Sequence, residues 1–124
     1  MSKYEHPYLE HDEYLEFLVP GDDHDEDFFN DLLQAMVELS DKTGKRRILI
    51  DRSGADPAKP VEQMVIYRLS LRMAQAFGAT VRIAALSTHT EQHSFWEDVA
   101  TNRGSIVKAS NDRERLLEWL LQDG

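Results

Sequence analysis

The chain has 124 residues, of which 41% are hydrophobic and 30% are charged, and it contains no cysteine. That length is enough for one domain, over residues 1–124, with a hydrophobic core of its own. The lack of cysteine excludes disulfides, thiolate catalysis and thiol metal ligands, and it is typical of a cytoplasmic protein. With 14 Lys and Arg against 23 Asp and Glu, the net charge of -9 disfavours nucleic acid and membrane surfaces as partners.

The N-terminal third of the chain predicts a hairpin followed by a helix. Two short apolar runs, residues 4–10 and 14–19, flank a polar turn, and Pro7 places the first of these strands at a sheet edge. Apolar residues then recur at three- and four-residue spacing, which predicts a helix over residues 25–43. Acidic side chains load its first turn, and Gly44 is a natural C-terminal stop.

The middle of the chain predicts a buried strand and a second helix. Residues 47–51 are almost continuously apolar, as in a parallel strand covered on both faces. An irregular stretch follows, and two helix starts are open. Either Asp56 caps the helix with Pro57 in its first position, or Pro60 begins it. Both alternatives end the helix near Phe77, before Gly78.

The C-terminal part predicts two more strand and helix pairs. A strand over residues 80–86 precedes a helix over 91–103, with Thr88 and Glu91 as a capping box. A strand over residues 106–109 precedes a last helix, which Asn111 caps together with Glu114. The predicted buried positions of these two helices are Phe95, Trp96, Val99, Ala100, Leu116, Leu117, Leu120 and Leu121.

This order of elements, β-β-α-β-α-β-α-β-α, predicts an α/β fold. Strands that alternate with helices favour a mostly parallel sheet with right-handed crossovers. The N-terminal hairpin makes the sheet mixed by adding antiparallel pairing at one side. We therefore expect a mixed, mostly parallel sheet with about four helices.

Two stretches of the chain resemble the STAS domain, the fold of bacterial anti-sigma-factor antagonists. They are "RRILIDRSG" and "FWEDVATNRGSIVKASNDRERLLEWL". The second is similar to the ending of an uncharacterised bacterial STAS/SEC14-like group: a helix that closes on Asn-Arg-Gly, a short strand and a helix that ends in Trp-Leu. The resemblance covers roughly residues 13–122. It implies a STAS-like fold and a regulatory role without catalysis.

The phosphate-accepting serine of the antagonists has no equivalent here. In those proteins it lies at the start of the helix that follows the strand matching Ile48–Ile50. The corresponding helix start in this chain, residues 59–63, contains no hydroxyl group, and Ser53 lies several residues too early. The resemblance therefore does not assign phosphorylation to Ser53, and we interpret this serine as a turn residue beside Gly54.

A ligand site is expected at the carboxyl ends of the parallel strands, where α/β sheets commonly bind ligands. The candidate ligand-binding residues are Asp51, Ser53, Ser87, Thr88, His89 and Arg103. The alternative is a small hydrolase, either with Ser53, His89 and Asp51 as a triad or with Asp51 and His89 as an acid-base pair. We favour the first interpretation and assign no catalytic residue, because the glycine-flanked turn that exposes a nucleophilic serine is missing.

Two sequence patterns contain side chains that could bind a metal ion. The acidic run over residues 22–27, with His11 nearby, offers oxygen ligands and imidazoles, but it lacks EF-hand spacing. His89 and His93 stand four residues apart, but the expected cap leaves His89 outside the helix. The favoured interpretations are a solvated helix start and cap hydrogen bonds, so no metal and no cofactor is predicted.

The predicted function is that of a regulatory or binding module. The expected partner is another protein, a second copy of the chain or a small molecule near the strand-end loops. Homo-oligomers are expected because the second and third helices carry many large apolar groups. A lipid or small-molecule sensor is a further alternative. Its cavity would be lined by aromatic side chains that we place in the core instead: Tyr67, Phe77, Phe95, Trp96 and Trp119.

Overall fold

A computed structural model describes residues 5–20 and 24–122, and its five strands form one sheet in the order β1-β2-β3-β4-β5. β1 and β2 pair antiparallel, whereas β2, β3, β4 and β5 run parallel. The mixed sheet and the N-terminal hairpin are therefore confirmed. The strand bounds are β1 Tyr8–Glu10, β2 Leu15–Leu18, β3 Arg47–Arg52, β4 Arg82–Ser87 and β5 Ile106–Ser110. Tyr4, at the start of the predicted first strand, lies outside the described residues.

The helices follow the predicted order and cover both faces of the sheet. Their bounds are α1 Glu26–Thr43, α2 Gln63–Phe77, α3 His93–Asn102 and α4 Arg113–Leu120, with a 3-10 turn at Thr90–Gln92 before α3. α1, α2 and α3 pack on one face, and α4 packs on the other. Within the two described ranges, no helix combines the length and apolarity that a membrane crossing needs.

The alternation of side chains along β3 divides the core into two parts. Ile48 and Ile50 are buried beneath α1, α2 and α3, whereas Leu49, which is fully buried, packs with α4. The continuous apolar run that predicted a doubly covered strand is explained by this arrangement. The same alternation sends Arg52 toward the larger core and Asp51 toward α4, so neighbours in sequence serve different faces.

The predicted C-terminal ends of α1 and α2 are confirmed by their geometry, and the start of α1 has a side-chain cap. The Asp25 carboxylate accepts a hydrogen bond from the backbone N–H of Phe28 at 2.9 Å, which caps α1. Gly44 follows α1 with φ of 75°, a left-handed conformation that costs glycine little. Gly78 likewise ends α2 with φ of 53°.

Both predicted starts of α2 are wrong, because the helix begins at Gln63. The Asp56 carboxylate accepts from the nearby N–H of Ala58, which is local turn bonding. Further along, the Gln92 side chain donates to the carbonyl of Val61 at 2.6 Å and accepts from its N–H at 3.2 Å. Hydrogen bonds from a distant segment thus satisfy the backbone that a longer helix would have used.

The predicted N-caps of the last two helices, α3 and α4, are also wrong. The Thr88 hydroxyl donates to the carbonyl of Ala55 at 2.8 Å, so it makes no capping box and α3 begins only at His93. Asp112, the residue after Asn111, caps α4 by accepting from the N–H of Arg115.

The inward faces of α3 and α4 are narrower than predicted. Ala100 is the buried residue of α3, while Phe95, Trp96 and Val99 are half-buried. In α4, Leu116 and Leu120 are fully buried, whereas Leu117 and Leu121 are half-buried.

An ion-pair cluster joins α1 to α2. The Glu26 carboxylate accepts hydrogen bonds from Arg68 at 2.7 Å and from Arg72 at 2.9 Å. These hydrogen bonds lower the pKa of Glu26 from 4.5 to about 2, because they favour the ionised carboxylate. A carboxyl with a lowered pKa stabilises the fold fully above its ordinary pKa and loses that contribution as the pH falls. The loss is therefore expected between pH 4.5 and about 2.

We predict that the Glu26 carboxyl stays ionised well below pH 4.5 in the folded protein. Carbon-detected NMR of the side-chain carboxyl during acid titration measures this directly. The double variant Arg68→Gln, Arg72→Gln should move the pKa of Glu26 back toward 4.5, because it removes both guanidinium donors. A wild-type midpoint near 4.5 would show that the cluster does not hold in solution.

Candidate functional site

An open cavity of about 100 Å³ lies between the sheet and helices α1, α2 and α3. Its floor is formed by Ile50, Ala85 and Ala109, which pair in register across β3, β4 and β5. These positions are near the carboxyl ends of the parallel strands, where the sequence predicts a ligand site. The two alanines explain the space, because a methyl group leaves unfilled the volume that a larger side chain would occupy.

The walls of the cavity are mainly apolar. Side chains of the three covering helices surround it, and they include Phe29, Leu32, Leu33, Met36, Ile66, Leu69, Met73 and Trp96. Trp96 is only half-buried, and both floor alanines are half-buried as well. Exposure of floor residues shows that the cavity reaches the protein surface, and it is therefore accessible to a ligand.

Polar side chains lie at the end of the cavity beyond the strands. They are Arg52, Ser87, His89, Gln92 and His93. The guanidinium of Arg52 lies 5.5 Å from the centre of the Phe29 ring, in the range of a cation-π contact. An apolar space with a few converging polar groups is the usual form of a small-molecule site.

His89 is the most deeply buried polar group of this set, with 1% of its surface exposed. Its Nε2 lies 2.8 Å from the carbonyl oxygen of Asp56, and its backbone N–H donates to the Ser87 hydroxyl at 3.1 Å. The other ring nitrogen, Nδ1, is buried without a hydrogen-bond partner among the described residues. A buried polar atom in this condition calls for an explanation.

His93 presents a second buried ring nitrogen. Its Nε2 also has no hydrogen-bond partner in the part of the chain that the structure describes. Burial lowers the pKa of His93 from 6.5, against the opposing effect of a hydrogen bond to the backbone of Ser87. The imidazole is therefore uncharged at neutral pH.

The segment over residues 55–61 is hydrogen-bonded to the turn over residues 88–92, beside the polar groups of the cavity. Thr88, His89 and Gln92 each bond to a backbone group of the segment. Because Gln92 and His89 also line the cavity, a ligand there would touch the side chains that hold this segment.

Asp51 and Ser53 belong to a different group of side chains. The Asp51 carboxylate accepts from both the N–H and the hydroxyl of Ser53, at 2.9 and 2.6 Å. Arg113 donates to Asp51 at 3.4 Å and to the buried carboxylate of Glu16 at 2.7 Å. His11 completes the group through a 2.9 Å contact with Glu16. This polar network ties β2 and β3 to α4.

The structure thus separates the residues that the sequence placed at one site. Ser87 and His89 line the cavity, and Thr88 fastens the adjoining segment. Asp51 and Ser53 bond to each other, whereas the His89 ring bonds to the carbonyl of Asp56, so the three groups do not form the hydrogen-bonded chain of a triad. Arg103 follows the last residue of α3, at the opposite edge of the sheet.

Three residues of the acidic run at the start of α1 have other partners. His24 bonds to the carbonyl of Pro20 and stacks on Phe28, while Asp25 and Glu26 serve the cap and the ion pairs. Asp22 and Asp23 lie outside the described residues. Over residues 5–20 and 24–122, no group of three or more His, Asp or Glu side chains is arranged to hold a metal ion.

The aromatic residues that would line the alternative lipid cavity lie in several parts of the structure. Trp96 lines the cavity, and Phe77 is buried in the core. Trp119 lies on the other face of the sheet, beneath the guanidinium of Arg82. Tyr67 and Phe95 are half-buried, and Met64 is 51% exposed on α2. The homo-oligomer expected from such apolar groups stays a prediction.

Sequence reasoning missed Arg52, Gln92, Ala85 and Ala109 as parts of a site, and it considered His93 only as a metal ligand. The strand alternation from Ile48 and Ile50 would have placed Arg52 on the larger core face. Two alanines at matching positions of neighbouring strands were the available signal for unfilled space.

Comparison with known proteins bears on the fold. No family model matches the sequence, and a search of curated proteins finds no match either. Among solved structures, the chain is similar to an uncharacterised protein of the DUF3478 family with a SpoIIAA-like fold, from Shewanella loihica PV-4. The two are 18% identical and superpose with a TM-score of 0.53, over 97% of this chain and 98% of the other.

The fold is SpoIIAA-like. This agrees with the STAS-like fold that the sequence resemblance implies, and with the mixed five-stranded sheet and its helices. At an identity of 18%, the similarity supports a shared fold, but it supports no statement about ligands or partners.

The polar network of this SpoIIAA-like domain predicts a stability difference between two arginines of α4. Arg113→Met should lower the free energy of unfolding by about 2 kcal/mol, because it leaves the buried Glu16 carboxylate without its guanidinium. Arg115→Met is the matched control, since Arg115 is 81% exposed and pairs with Asp112 at 3.6 Å. Its effect should stay within about 0.5 kcal/mol. Urea unfolding at pH 7 compares them, and equal losses would contradict the role of Glu16.

Proposed function

We propose that this STAS-like domain is a non-catalytic binding module that takes up a small, mainly apolar ligand in the cavity above Ala85 and Ala109. The observation that carries the proposal is the unfilled, accessible space at the strand ends, with apolar walls and polar groups at one end. Such space lowers the stability of a core unless something fills it. A ligand that fills it gains the contacts that the core lacks.

The size of the cavity limits the ligand. An engineered apolar cavity of about 150 Å³ binds benzene, and typical drug-sized pockets are several times larger. A cavity of about 100 Å³ that opens to the surface therefore suits a single ring or a short chain, with any remainder in the mouth. A long lipid chain does not fit without movement of α2 or α3.

A regulatory role is supported by what surrounds the cavity. The segment over residues 55–61 is held by side chains that line it, and residues 56–60 of that segment are exposed. A ligand that shifts His89 or Gln92 would change the surface that the segment offers to a partner protein. Ligand binding in the cavity is coupled in this way to recognition of the exposed segment by a partner protein.

We predict that benzene binds to the wild-type protein and that Ala109→Leu weakens this binding at least about tenfold, because leucine fills the floor of the cavity. Two-dimensional NMR titration measures the affinity and shows whether the backbone signals of residues 85, 96 and 109 shift. Ala76→Leu is the matched control, since Ala76 is exposed on α2. It should leave the affinity unchanged.

The stability of Ala109→Leu provides a second readout. A leucine that enters existing space should keep the free energy of unfolding at or above the wild-type value. In a fully packed core the same change costs about 1–3 kcal/mol. A loss of that size, together with no NMR shifts on addition of benzene, would contradict the proposed function.

A further inference from the structure

Two imidazole nitrogens determine the polarity of the cavity. His89 Nδ1 and His93 Nε2 are both buried, both rings line the cavity, and neither atom has a hydrogen-bond partner among the residues described. Leaving a buried polar atom unpaired costs about 1–3 kcal/mol. Two such atoms beside one apolar space indicate a ligand that pairs with at least one of them.

The hydrogen bond on the far side of the His89 ring fixes which proton the ring carries. Its Nε2 lies 2.8 Å from the backbone carbonyl oxygen of Asp56, and a carbonyl only accepts. Nε2 therefore holds the proton. In the neutral imidazole, Nδ1 is then a bare acceptor.

His93 reaches the same state through a different contact. Its hydrogen bond to the backbone of Ser87 favours the charged ring, as a bond to a carbonyl acceptor does. Because Nε2 is the nitrogen without a partner among the described residues, we infer that Nδ1 is the nitrogen that faces the Ser87 backbone and carries the proton. Burial keeps the ring neutral, so His93 Nε2 is a second bare acceptor.

Two bare acceptors select among polar head groups. A carboxylate would be attracted by the guanidinium of Arg52, but it would set its own lone pairs against those of the two nitrogens. An ammonium group would enter beside the guanidinium of Arg52, which also lines the cavity. A neutral hydroxyl avoids both penalties, because it brings a donor without a charge.

We propose that the ligand is a small neutral alcohol or phenol whose apolar body lies over Ala85 and Ala109 and whose hydroxyl donates to His89 or His93. A second hydroxyl on the same ligand would satisfy the other imidazole. This inference rests on the proposed function, since it names the class of ligand for that cavity.

The probes are phenol, fluorobenzene and benzoate, each titrated into the full chain and followed by NMR. Fluorobenzene has nearly the size of phenol but no donor, and benzoate replaces the hydroxyl with an anion. Phenol should bind at least as tightly as fluorobenzene, although its hydroxyl is better hydrated in water. Benzoate should bind at least about tenfold more weakly than phenol, a difference on the scale of one charged or polar group left unpaired.

Variants locate the acceptor. His93→Phe keeps a ring and removes Nε2. If His93 is the acceptor, this variant should reduce the preference for phenol over fluorobenzene about tenfold while fluorobenzene still binds, and an unchanged preference would assign the hydroxyl bond to His89. His93→Gln restores an acceptor and should recover part of that preference. His11→Phe is the control, because His11 contacts Glu16 on the other face of the sheet. It should change neither affinity.

The outcomes separate the two proposals. If fluorobenzene binds and phenol binds more weakly, or if benzoate binds tightest, the hydroxyl inference is wrong and the binding module stands. If no probe binds, the proposed function itself is wrong. The comparison of phenol with fluorobenzene on the wild type needs no variant, so poor folding of His93→Phe does not prevent the test.

Discussion

The arrangement of this protein depends on two methyl groups that face the same space. Ala85 and Ala109 are paired neighbours on β4 and β5, and three helices cover them. Ile83 and Val107, two residues earlier on the same strands, are buried normally in the core. The helix-covered face of the sheet is thus well packed near the amino ends of these strands and underfilled near their carboxyl ends. Because the loops that carry the polar groups follow the carboxyl ends, they lie beside the unfilled space.

Strand alternation separates two groups of chemistry-bearing residues that are adjacent in sequence. Arg52 faces the cavity, while Asp51 joins Ser53 and Arg113 in the network beneath α4. The short stretch at the end of β3 resembles a reactive motif only in the linear sequence. In three dimensions the serine bonds within its own turn, and the histidine that lines the cavity bonds elsewhere.

The fold was largely predictable, because its signals are local. Apolar spacing located the strands and helices, and Gly44 and Gly78 ended α1 and α2 where expected. The start of α2 was not predictable, because hydrogen bonds from Thr88, His89 and Gln92 stabilise the preceding segment. Only part of the site was predictable, because the rest also depends on contacts between distant segments. Chain order placed Ser87 and His89 at the strand ends, but a cavity depends on what the packed helices fail to fill, and no local pattern reports that.

The unfilled space is the central claim, and X-ray diffraction from crystals pressurised with xenon tests it most directly. Xenon enters accessible apolar cavities without needing any polar partner. We predict one ordered xenon atom above Ala85 and Ala109, in contact with Trp96, with little movement of the surrounding helices. Collapse of Leu69 and Met73 onto the two alanines, with no xenon between the sheet and the helices, would contradict this account.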